Sequence, residues 1–275
     1  MICLTGDVHH SSLKTDDYRW CKGTEIDAAM IMAQIALSYG LQITLFFTGL
    51  CAKENPRLLK RIAQMENVEV GGHNYFAFKL RKPFNFYYRL SGLRNGPYWY
   101  QFWEVRRTIR KLERFSEKKI CSWRDHAYRH DRNTREILKR NNIRYFSDVL
   151  STSFDQPVWN NGVIDVPINA LPDHDYVYHG YRQPGTFHES VLLRTIFHTK
   201  AMSKEQWLKR IKCEILHIED KKGVATILTH PACMEVFDNF DTFKKLCAFL
   251  GQYQSCKMRD IQVDKRDHND AENLD

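Results

Sequence analysis

Buried strands and helices alternate over the first 73 residues, and this alternation limits the folds that the chain can adopt. An apolar or β-prone run at residues 2–5 is followed by a helical pattern over 26–39 and by a strand over 41–48. Pro56 begins a second helix, and residues 68–70 form a third strand. Strands separated by helices pair in parallel through right-handed crossovers. The sequence therefore predicts an α/β fold with a parallel sheet.

The later part of the chain repeats this pattern. Further strands are predicted at residues 119–123, 143–149, 162–168 and 224–229, and further helices at residues 101–117, 134–141, 203–221 and 239–252. A chain of 275 residues, 43% of them hydrophobic, can bury the core of one domain. We therefore predict one domain over residues 1–263 and a polar, disordered tail over residues 264–275.

Cysteine usage and hydropathy favour a cytoplasmic protein. The eight cysteines are scattered without a C-x-x-C pair, and several lie inside apolar runs, as reduced core thiols do. No run approaches the roughly 18 apolar residues of a membrane-spanning helix. The first strand begins at residue 2, which leaves no room for a signal peptide before it. The scattered cysteines also disfavour a cysteine-ligated zinc site.

Histidine, aspartate and arginine residues follow several of the predicted strands. Period-two geometry places Asp7 and His9 on the same side of the end of the first strand. The other residues with this placement are His73, Arg124, His126, Asp173, His174, Asp175 and His230. Each alone fits a structural polar residue, but the carboxyl ends of parallel strands meet at one edge, where ligands bind. Imidazoles and carboxylates converging there are typical of a hydrolytic metal centre.

Five segments resemble motifs of the polysaccharide deacetylases of the NodB-homology type, also called carbohydrate esterase family 4. They read L-T-G-D-V-H, G-L-Q-I-T-L-F-F-T-G, E-V-G-G-H-N, C-S-W-R-D-H and I-L-T-H-P. The resemblance covers residues 1–240 and implies a distorted (β/α) barrel. It also implies that Asp7 is the catalytic base, oriented by Arg124. His73 is then a metal ligand, and His230 is the general acid.

Two positions depart from the motifs of that family. His9 stands where a metal-binding carboxylate is usual, and Ala77 stands where the second histidine of H-x-x-x-H is usual. The metal set is therefore either Asp7, His9 and His73, or a set that recruits His126. A divalent metal is expected, and a site rich in histidine favours Zn²⁺, although other divalent metals also bind imidazole.

Residues 75–119 break the alternation and carry much of the positive charge. The chain has a net charge of +8. This stretch holds twelve Lys or Arg against three Glu, and residues 75–103 hold twelve aromatic residues. We predict an aromatic and basic insertion around residues 75–118. Its composition suits an anionic membrane or a carbohydrate platform. Nucleic acid is disfavoured because no recognised binding motif accompanies the charge, and a solvated helix face remains the better interpretation for residues 101–117 alone.

These features predict a metal-dependent hydrolase that removes an N-acyl group, most simply acetyl, from an amino sugar in surface polysaccharide synthesis. A lipid-linked substrate would bring the enzyme to the inner face of the membrane, where residues 75–119 make peripheral contact. Deacylation of a small non-sugar amide is one alternative, since this barrel supports many chemistries. A catalytically silent homologue that binds carbohydrate or membrane is another. The presence of Asp7, Arg124 and His230 favours an active enzyme.

Overall fold

Strands and helices alternate along the chain, as the sequence predicted. The computed structural model describes residues 1–13, 20–77, 81–174 and 191–263. Within these residues the strands are β1 (Ile2–Val8), β2 (Ile43–Phe47), β3 (Val68–Gly72), β4 (Ser122–Trp123), β5 (Tyr145–Phe146), β6 (Val158–Asn160), β7 (Val163–Asp165) and β8 (Ala225–Thr229). The helices are α1 (Glu25–Ser38), α2 (Gly49–Glu54), α3 (Pro56–Ala63), α4 (Arg81–Ser91), α5 (Tyr98–Ser116), α6 (Thr134–Arg140), α7 (Val191–Phe197), α8 (Lys204–Asp220), α9 (Pro231–Asp238) and α10 (Asp241–Leu250).

The strands form one sheet in the order β6-β7-β5-β4-β3-β2-β1-β8. Neighbouring strands are parallel, except that β6 runs antiparallel to β7. β1 lies between β2 and β8, with Leu4 opposite Ile43 and Ile2 opposite Ala225. Every residue of β1 and β2 is buried, because helices cover one face of the sheet and the barrel interior covers the other.

Side chains alternate between the helices outside the sheet and the interior that the sheet encloses. Ile2 and Leu4 join the large hydrophobic cluster that includes the helices. Cys3 instead packs in a second cluster with Phe46 and Tyr145, which come from β2 and β5. Inner faces of strands that are not neighbours therefore meet, and the sheet curls into the distorted (β/α) barrel that the sequence predicted. The inward row of β1 continues to its carboxyl end, where the polar residues lie.

The C-terminal segment, residues 255–261, covers the amino-terminal end of the barrel. Glu69 on β3 is fully buried and accepts hydrogen bonds from Thr44 Oγ1 at 3.0 Å and Ser122 Oγ at 2.6 Å. The backbone N–H of Arg259 donates to the same carboxylate at 3.0 Å. A buried carboxylate is tolerated here because several donors satisfy it. The interior is therefore closed at one end, and the site is reached from the other.

One side chain bridges the segment after β7 and the edge strand β8. Asn169 Nδ2 donates to the carbonyl of Val224 at 3.0 Å, and Asn169 Oδ1 accepts from the backbone N–H of Thr226 at 2.9 Å. Asn169 and Thr226 are buried, so these backbone groups would otherwise lack partners. The side-chain amide of Asn169 thus supplies the hydrogen bonds that a neighbouring strand would otherwise give to this edge of the sheet.

Apart from α4, which lies in the predicted insertion, four elements were not predicted: α2, β6, α7 and α9. Each of them is short, with six residues in α2, three in β6, seven in α7 and eight in α9. Short elements show too few hydrophobic periods to be recognised. β6 is an antiparallel edge strand, which the strand–helix alternation does not require. The prediction of one domain over residues 1–263 stays a prediction, and the tail over 264–275 lies outside the described residues.

The aromatic and basic insertion around residues 75–118 is helical and lies between β3 and β4. It contains α4 and α5, while residues 78–80 lie outside the described part of the chain. α5 begins after Pro97, three residues earlier than predicted, and its buried face includes Val105, Ile109 and Leu112. Among the described residues, no helix has both the length and the apolar character needed to cross a membrane.

Candidate active site

Polar residues at the carboxyl ends of β1, β3, β4 and β8 meet at one edge of the barrel. Asp7 Oδ1 accepts a hydrogen bond from Arg124 Nη1 at 2.9 Å. Asp7 Oδ2 lies 3.8 Å from His73 Nε2 and 4.0 Å from His230 Nε2. The structure therefore brings together Asp7, Arg124 and His230, for which the sequence predicted catalytic roles.

Arg124 fixes the position of Asp7 from the interior of the barrel. Its guanidinium is fully buried and donates to Ser147 through Nε and Nη2, at 2.8 and 2.7 Å. It also donates to Thr5 Oγ1 at 3.0 Å and lies over the ring of Phe46 at 4.5 Å. A buried charge is tolerated when it is paired and its donors are satisfied, as they are here.

The charge of Asp7 follows from this environment. Burial alone would raise the pKa of Asp7, but the nearby Arg124 guanidinium, together with His73 and His230, outweighs burial and holds the pKa at about 2. Asp7 is therefore ionised at neutral pH. Because Arg124 binds one of its oxygens, the other oxygen is directed towards the two histidines.

His9 and His73 are each oriented through the Nδ1 atom. His73 Nδ1 donates to the carbonyl of Arg124 at 2.9 Å, which leaves the Nε2 lone pair free of a proton. His9 Nδ1 lies 3.0 Å from Glu25 Oε2, and the His9 backbone N–H donates to the same oxygen at 2.7 Å. In both histidines Nε2 is buried and has no hydrogen-bond partner among the described residues. Two buried ring nitrogens without hydrogen-bond partners at one site fit the ligands of a metal ion.

His126 completes a group of three histidines, which we call the imidazole triad: His9, His73 and His126. The ring centroids are 5.0–5.4 Å apart, and one nitrogen of each ring lies within 4.8 Å of the others. Asn74 Oδ1 accepts the backbone N–H of His126 at 2.6 Å and ties the loops after β3 and β4 together. Asn74 has a left-handed backbone (φ 53°), a conformation that is held when its surroundings compensate for it.

His73 and His126, two members of the imidazole triad, are uncharged at neutral pH. Burial lowers the pKa of His73 to about 4. Burial, and then the neighbouring His9, lower the pKa of His126 well below the usual value for histidine. Neutral imidazole is the form that binds a metal ion.

The imidazole triad fits a divalent metal. Tetrahedral zinc with Zn–N bonds of ~2.0–2.1 Å places its nitrogen ligands about 3.4 Å apart, which small rotations of the rings reach from their separation of up to 4.8 Å. Asp7, the other predicted ligand, lies 3.8 Å from His73 Nε2 and is already held by Arg124. Of the two sets that the sequence left open, the geometry favours the one that recruits His126.

His230, beside Asp7, is paired with Asp173. His230 Nδ1 lies 2.7 Å from Asp173 Oδ1, and the His230 backbone N–H donates to Asp173 Oδ2 at 2.8 Å. Burial alone would lower the pKa of His230, but the Asp173 carboxylate outweighs burial and raises it to about 9. His230 is therefore protonated at neutral pH, with Nδ1–H held by Asp173 and Nε2–H directed towards Asp7.

Two supporting residues received no role from the sequence. Glu25, which orients His9, is buried in the first turn of α1, and its local pattern T-E-I-D indicates only a helix start. Asp173 was recognised as a polar residue after a strand, but its pairing with His230 depends on packing between distant segments. Asp175, the other carboxylate in that segment, lies outside the described residues.

Comparison with known proteins places the fold. No protein-family model and no curated protein matches the sequence. Among solved structures, a protein assigned as a polysaccharide deacetylase from Mycobacterium smegmatis aligns at 16% identity over 94% of this chain and 85% of its own, with a TM-score of 0.68. An allantoinase aligns at 11% identity over 94% of this chain and 86% of its own, with a TM-score of 0.62.

A third structure, a mutant of a CE4 family pseudoenzyme, aligns at 15% identity over 90% of this chain and 62% of its own, with a TM-score of 0.51. At these identities the likeness concerns the fold. The chain therefore has the fold of the polysaccharide deacetylases, as its motifs predicted.

Proposed function

We propose that this polysaccharide deacetylase fold carries a metal-dependent hydrolase that removes an N-acyl group, most simply acetyl, from an amino sugar. One observation carries the proposal. An ionised carboxylate, Asp7, and a protonated imidazole, His230, lie 4.0 Å apart beside the imidazole triad. Pairs of titratable groups whose environments push their pKa values apart identify an acid and a base. The neighbour assigned as a polysaccharide deacetylase supports a sugar substrate.

The two groups divide the proton transfers of amide hydrolysis. Asp7 Oδ2 accepts a proton from water as the water oxygen bonds to the acyl carbon. His230 Nε2–H then donates a proton to the amide nitrogen as the carbon–nitrogen bond breaks, and the products are a carboxylic acid and an amine. Arg124 holds Asp7 in place, and Asp173 keeps His230 protonated and oriented.

The imidazole triad would hold the metal, and a ligand set of nitrogens favours Zn²⁺. A divalent ion there would polarise the acyl carbonyl and acidify water, which explains how a carboxylate with a pKa of about 2 can serve as a base. The deep burial of His73 and the burial of Asp7 limit competing water at this point.

Turnover of two substrates by two variants tests these roles. Asp7→Asn should abolish hydrolysis of an N-acetylated amino-sugar oligomer while metal content is kept, because the base is lost and the imidazole triad is intact. His230→Ala should lower amide turnover by ~10²–10⁴-fold. It should affect an activated aryl ester less, because that leaving group needs no proton. Equal damage to both substrates would exclude His230 as general acid, and loss of metal in Asp7→Asn would make Asp7 a ligand.

The exposed surface of α5 supports contact with an anionic membrane. Five cationic residues line one groove with Trp103, and we call this surface the α5 basic face: Trp103, Arg106, Arg107, Arg110, Lys111 and Arg114. Within the described residues, none of the five cations forms an ion pair with a carboxylate. Trp99, one turn earlier, is 70% exposed, and Leu90 on α4 is 73% exposed. Exposed aromatic and apolar side chains beside unpaired arginines fit the interface of an anionic bilayer.

The placement of α5 supports a lipid-linked amino sugar as the substrate. α5 leads into β4, which is parallel to β3, so the helix runs against the strands and begins at the edge of the barrel that holds the site. Trp99 therefore lies near that edge, and a docked membrane would face the site. The eight free cysteines support a reducing, cytoplasmic location, and contact would then be at the inner face of the membrane.

A small non-sugar amide is the second candidate substrate, and the allantoinase neighbour favours it specifically. The two candidates differ in which substrate the metal-loaded protein hydrolyses, so parallel assays on N-acetylated amino sugars and on small cyclic amides separate them. The pseudoenzyme neighbour favours a silent binding protein. Stoichiometric metal in the purified protein together with turnover of either substrate would exclude a catalytically silent protein.

A further inference from the structure

A second group of metal-binding side chains shares His230 with the candidate active site. It consists of His174, His230 and Cys233, whose donor atoms all lie within 4.8 Å of one another. His174 Nδ1 is 3.3 Å from Cys233 Sγ, and the rings of His174 and His230 are 4.8 Å apart. The mechanism above uses neither His174 nor Cys233.

The local fold explains why these side chains converge. His230 immediately precedes α9, and Cys233 lies in the first turn of that helix. His174 follows Asp173, which is bound to His230, so the same hydrogen bonds that position the acid also position His174. Cys233 is 4% exposed. A buried cysteine beside imidazoles offers the sulfur and nitrogen donors that zinc binds in proteins.

We propose that His174, Cys233 and His230 form a second metal site, which binds a soft divalent cation of the Zn²⁺ class and thereby removes His230 from catalysis. Zinc with Zn–S bonds of ~2.3 Å and Zn–N bonds of ~2.0–2.1 Å separates its sulfur and nitrogen ligands by about 3.6 Å. The 3.3 Å between His174 and Cys233 is close to that value. His230 Nδ1 is engaged by Asp173, so Nε2 is the nitrogen that faces an ion.

The chemistry of the two groups distinguishes them. The imidazole triad offers nitrogen alone, whereas the second group adds a thiolate, which selects Zn²⁺ and similar soft ions over Mg²⁺, Ca²⁺ and Mn²⁺. The ion displaces the thiol proton of Cys233 and the Nε2 proton of His230. Occupancy of the second site then leaves no proton at Nε2 for the departing amine. This inhibition rests on the proposed function, but the existence of the second site does not.

The site can be tested without an activity assay. The whole protein is first freed of metal by a chelator and is then titrated with Co²⁺. We expect two bound equivalents, and a thiolate-to-cobalt charge-transfer band in the near ultraviolet for one of them. Cys233→Ser should lose that band and one equivalent, while His9→Ala should lose the other equivalent and keep the band. Cys213→Ser, which removes an exposed thiol on α8, is the matched control and should keep both.

The outcomes separate this inference from the proposed function. A band that persists in Cys233→Ser, or its absence from the wild-type protein, would overturn the second site. If only one equivalent of Co²⁺ binds and it gives the band, the second site binds metal and the imidazole triad does not. With an active enzyme, excess Zn²⁺ should inhibit the wild type and the Cys213→Ser control alike, and Cys233→Ser should need at least ten times more Zn²⁺. Equal sensitivity of all three proteins would exclude the inhibitory role.

Discussion

Histidine residues of this site differ in charge because the partners of their Nδ1 atoms differ. His73 donates to a backbone carbonyl, so burial dominates and its pKa is about 4. His230 is bound to the carboxylate of Asp173, which outweighs burial and raises its pKa to about 9. The same side chain thus supplies a neutral ligand in one position and a proton donor in another.

The first prediction concerns the imidazole triad. His9→Ala or His73→Ala should lower bound metal from stoichiometric to a small fraction, because each removes one of three nitrogen ligands and leaves the other two nitrogens widely spaced. Elemental analysis of the purified variants measures this, with circular dichroism to establish that they fold. His217→Ala, an exposed histidine of α8, is the control and should keep full metal content. Full metal in both triad variants would show that the ligands lie elsewhere.

The second prediction concerns the pH dependence of the acid. His230 donates only while protonated, so kcat/KM of the wild type should be retained up to a pH of about 9 and fall above it. In Asp173→Asn the charge that raises the pKa of His230 is absent, while an oxygen remains for the His230 backbone N–H. The alkaline limb should therefore move towards the usual histidine value of ~6.5. A measured pH profile whose alkaline limb stays in place would exclude the Asp173–His230 pair as its origin.

At the scale of elements, the insertion between β3 and β4 joins two roles in one stretch of chain. Its buried side packs α5 against the barrel through Val105 and Leu112. Its outer side carries the α5 basic face, where Arg106, Arg110 and Arg114 are exposed at four-residue spacing and so form one line along the helix. A helix needs only one apolar stripe to pack, so the opposite side is free to bind a partner.

The third prediction tests that line of charge. Arg106→Gln/Arg110→Gln/Arg114→Gln should bind vesicles of phosphatidylglycerol and phosphatidylcholine about 100-fold more weakly than the wild type, since each surface cation contributes ~1 kcal/mol. Wild-type binding should also weaken with added salt, because the screening length is ~10 Å at 0.1 M. Co-sedimentation measures both.

A matched control separates the position of the charge from its amount. Lys209→Gln/Lys244→Gln/Lys245→Gln removes three exposed cations from α8 and α10 and should bind such vesicles nearly as well as the wild type. Equal loss in both triple variants would indicate attraction by net charge alone. Binding that ignores salt and lipid charge would leave α5 as a solvated helix face.

At the scale of the whole molecule, the barrel and the gathering of the site could be predicted because both depend on simple geometry. A period of two sends Asp7 and His9 to the same side of β1, and parallel strands bring their carboxyl ends to one edge. The role of Glu25 could not be predicted, because helix-start residues of its kind are common and only packing directs it towards His9. The hydrogen bonds from Asn169 to β8 could not be predicted either, because Asn169 is more than fifty residues away from the backbone groups that it bonds.

The helix bounds show a similar division. α5 was predicted from its helical spacing but began three residues early, because Pro97 fixes a start that the aromatic run obscures. α9 was missed because Pro231 follows His230 directly, and a strand end, a polar residue and a proline indicate a loop as readily as a helix. Elements that extend over several hydrophobic periods can be recognised in a sequence, and elements of one or two turns cannot.

Buried carboxylates make the stability of the whole molecule depend on pH. Glu104 on α5 is 7% exposed and accepts the backbone N–H of Tyr75 at 3.3 Å. Burial raises its pKa from 4.5 to about 7. The folded state therefore holds this proton more tightly than the unfolded state, so Glu104 lowers the free energy of unfolding progressively as pH rises from about 4.5 to about 7. Asp125, whose pKa is also raised by burial and by Asp148, acts in the same direction.

The last prediction follows from that sign. Glu104→Gln keeps an acceptor for Tyr75 but cannot ionise, so it should match the wild type near pH 4.5 and exceed its free energy of unfolding by about 2–4 kcal/mol above pH 7. The pH responses of Asp7 and His230 are shared by both proteins and cancel in the difference. Urea unfolding at pH 5 and pH 8.5 measures the difference, with the exposed Glu136→Gln of α6 as control. A difference that stays constant between the two pH values would show that Glu104 ionises in the folded protein as it does in the unfolded chain.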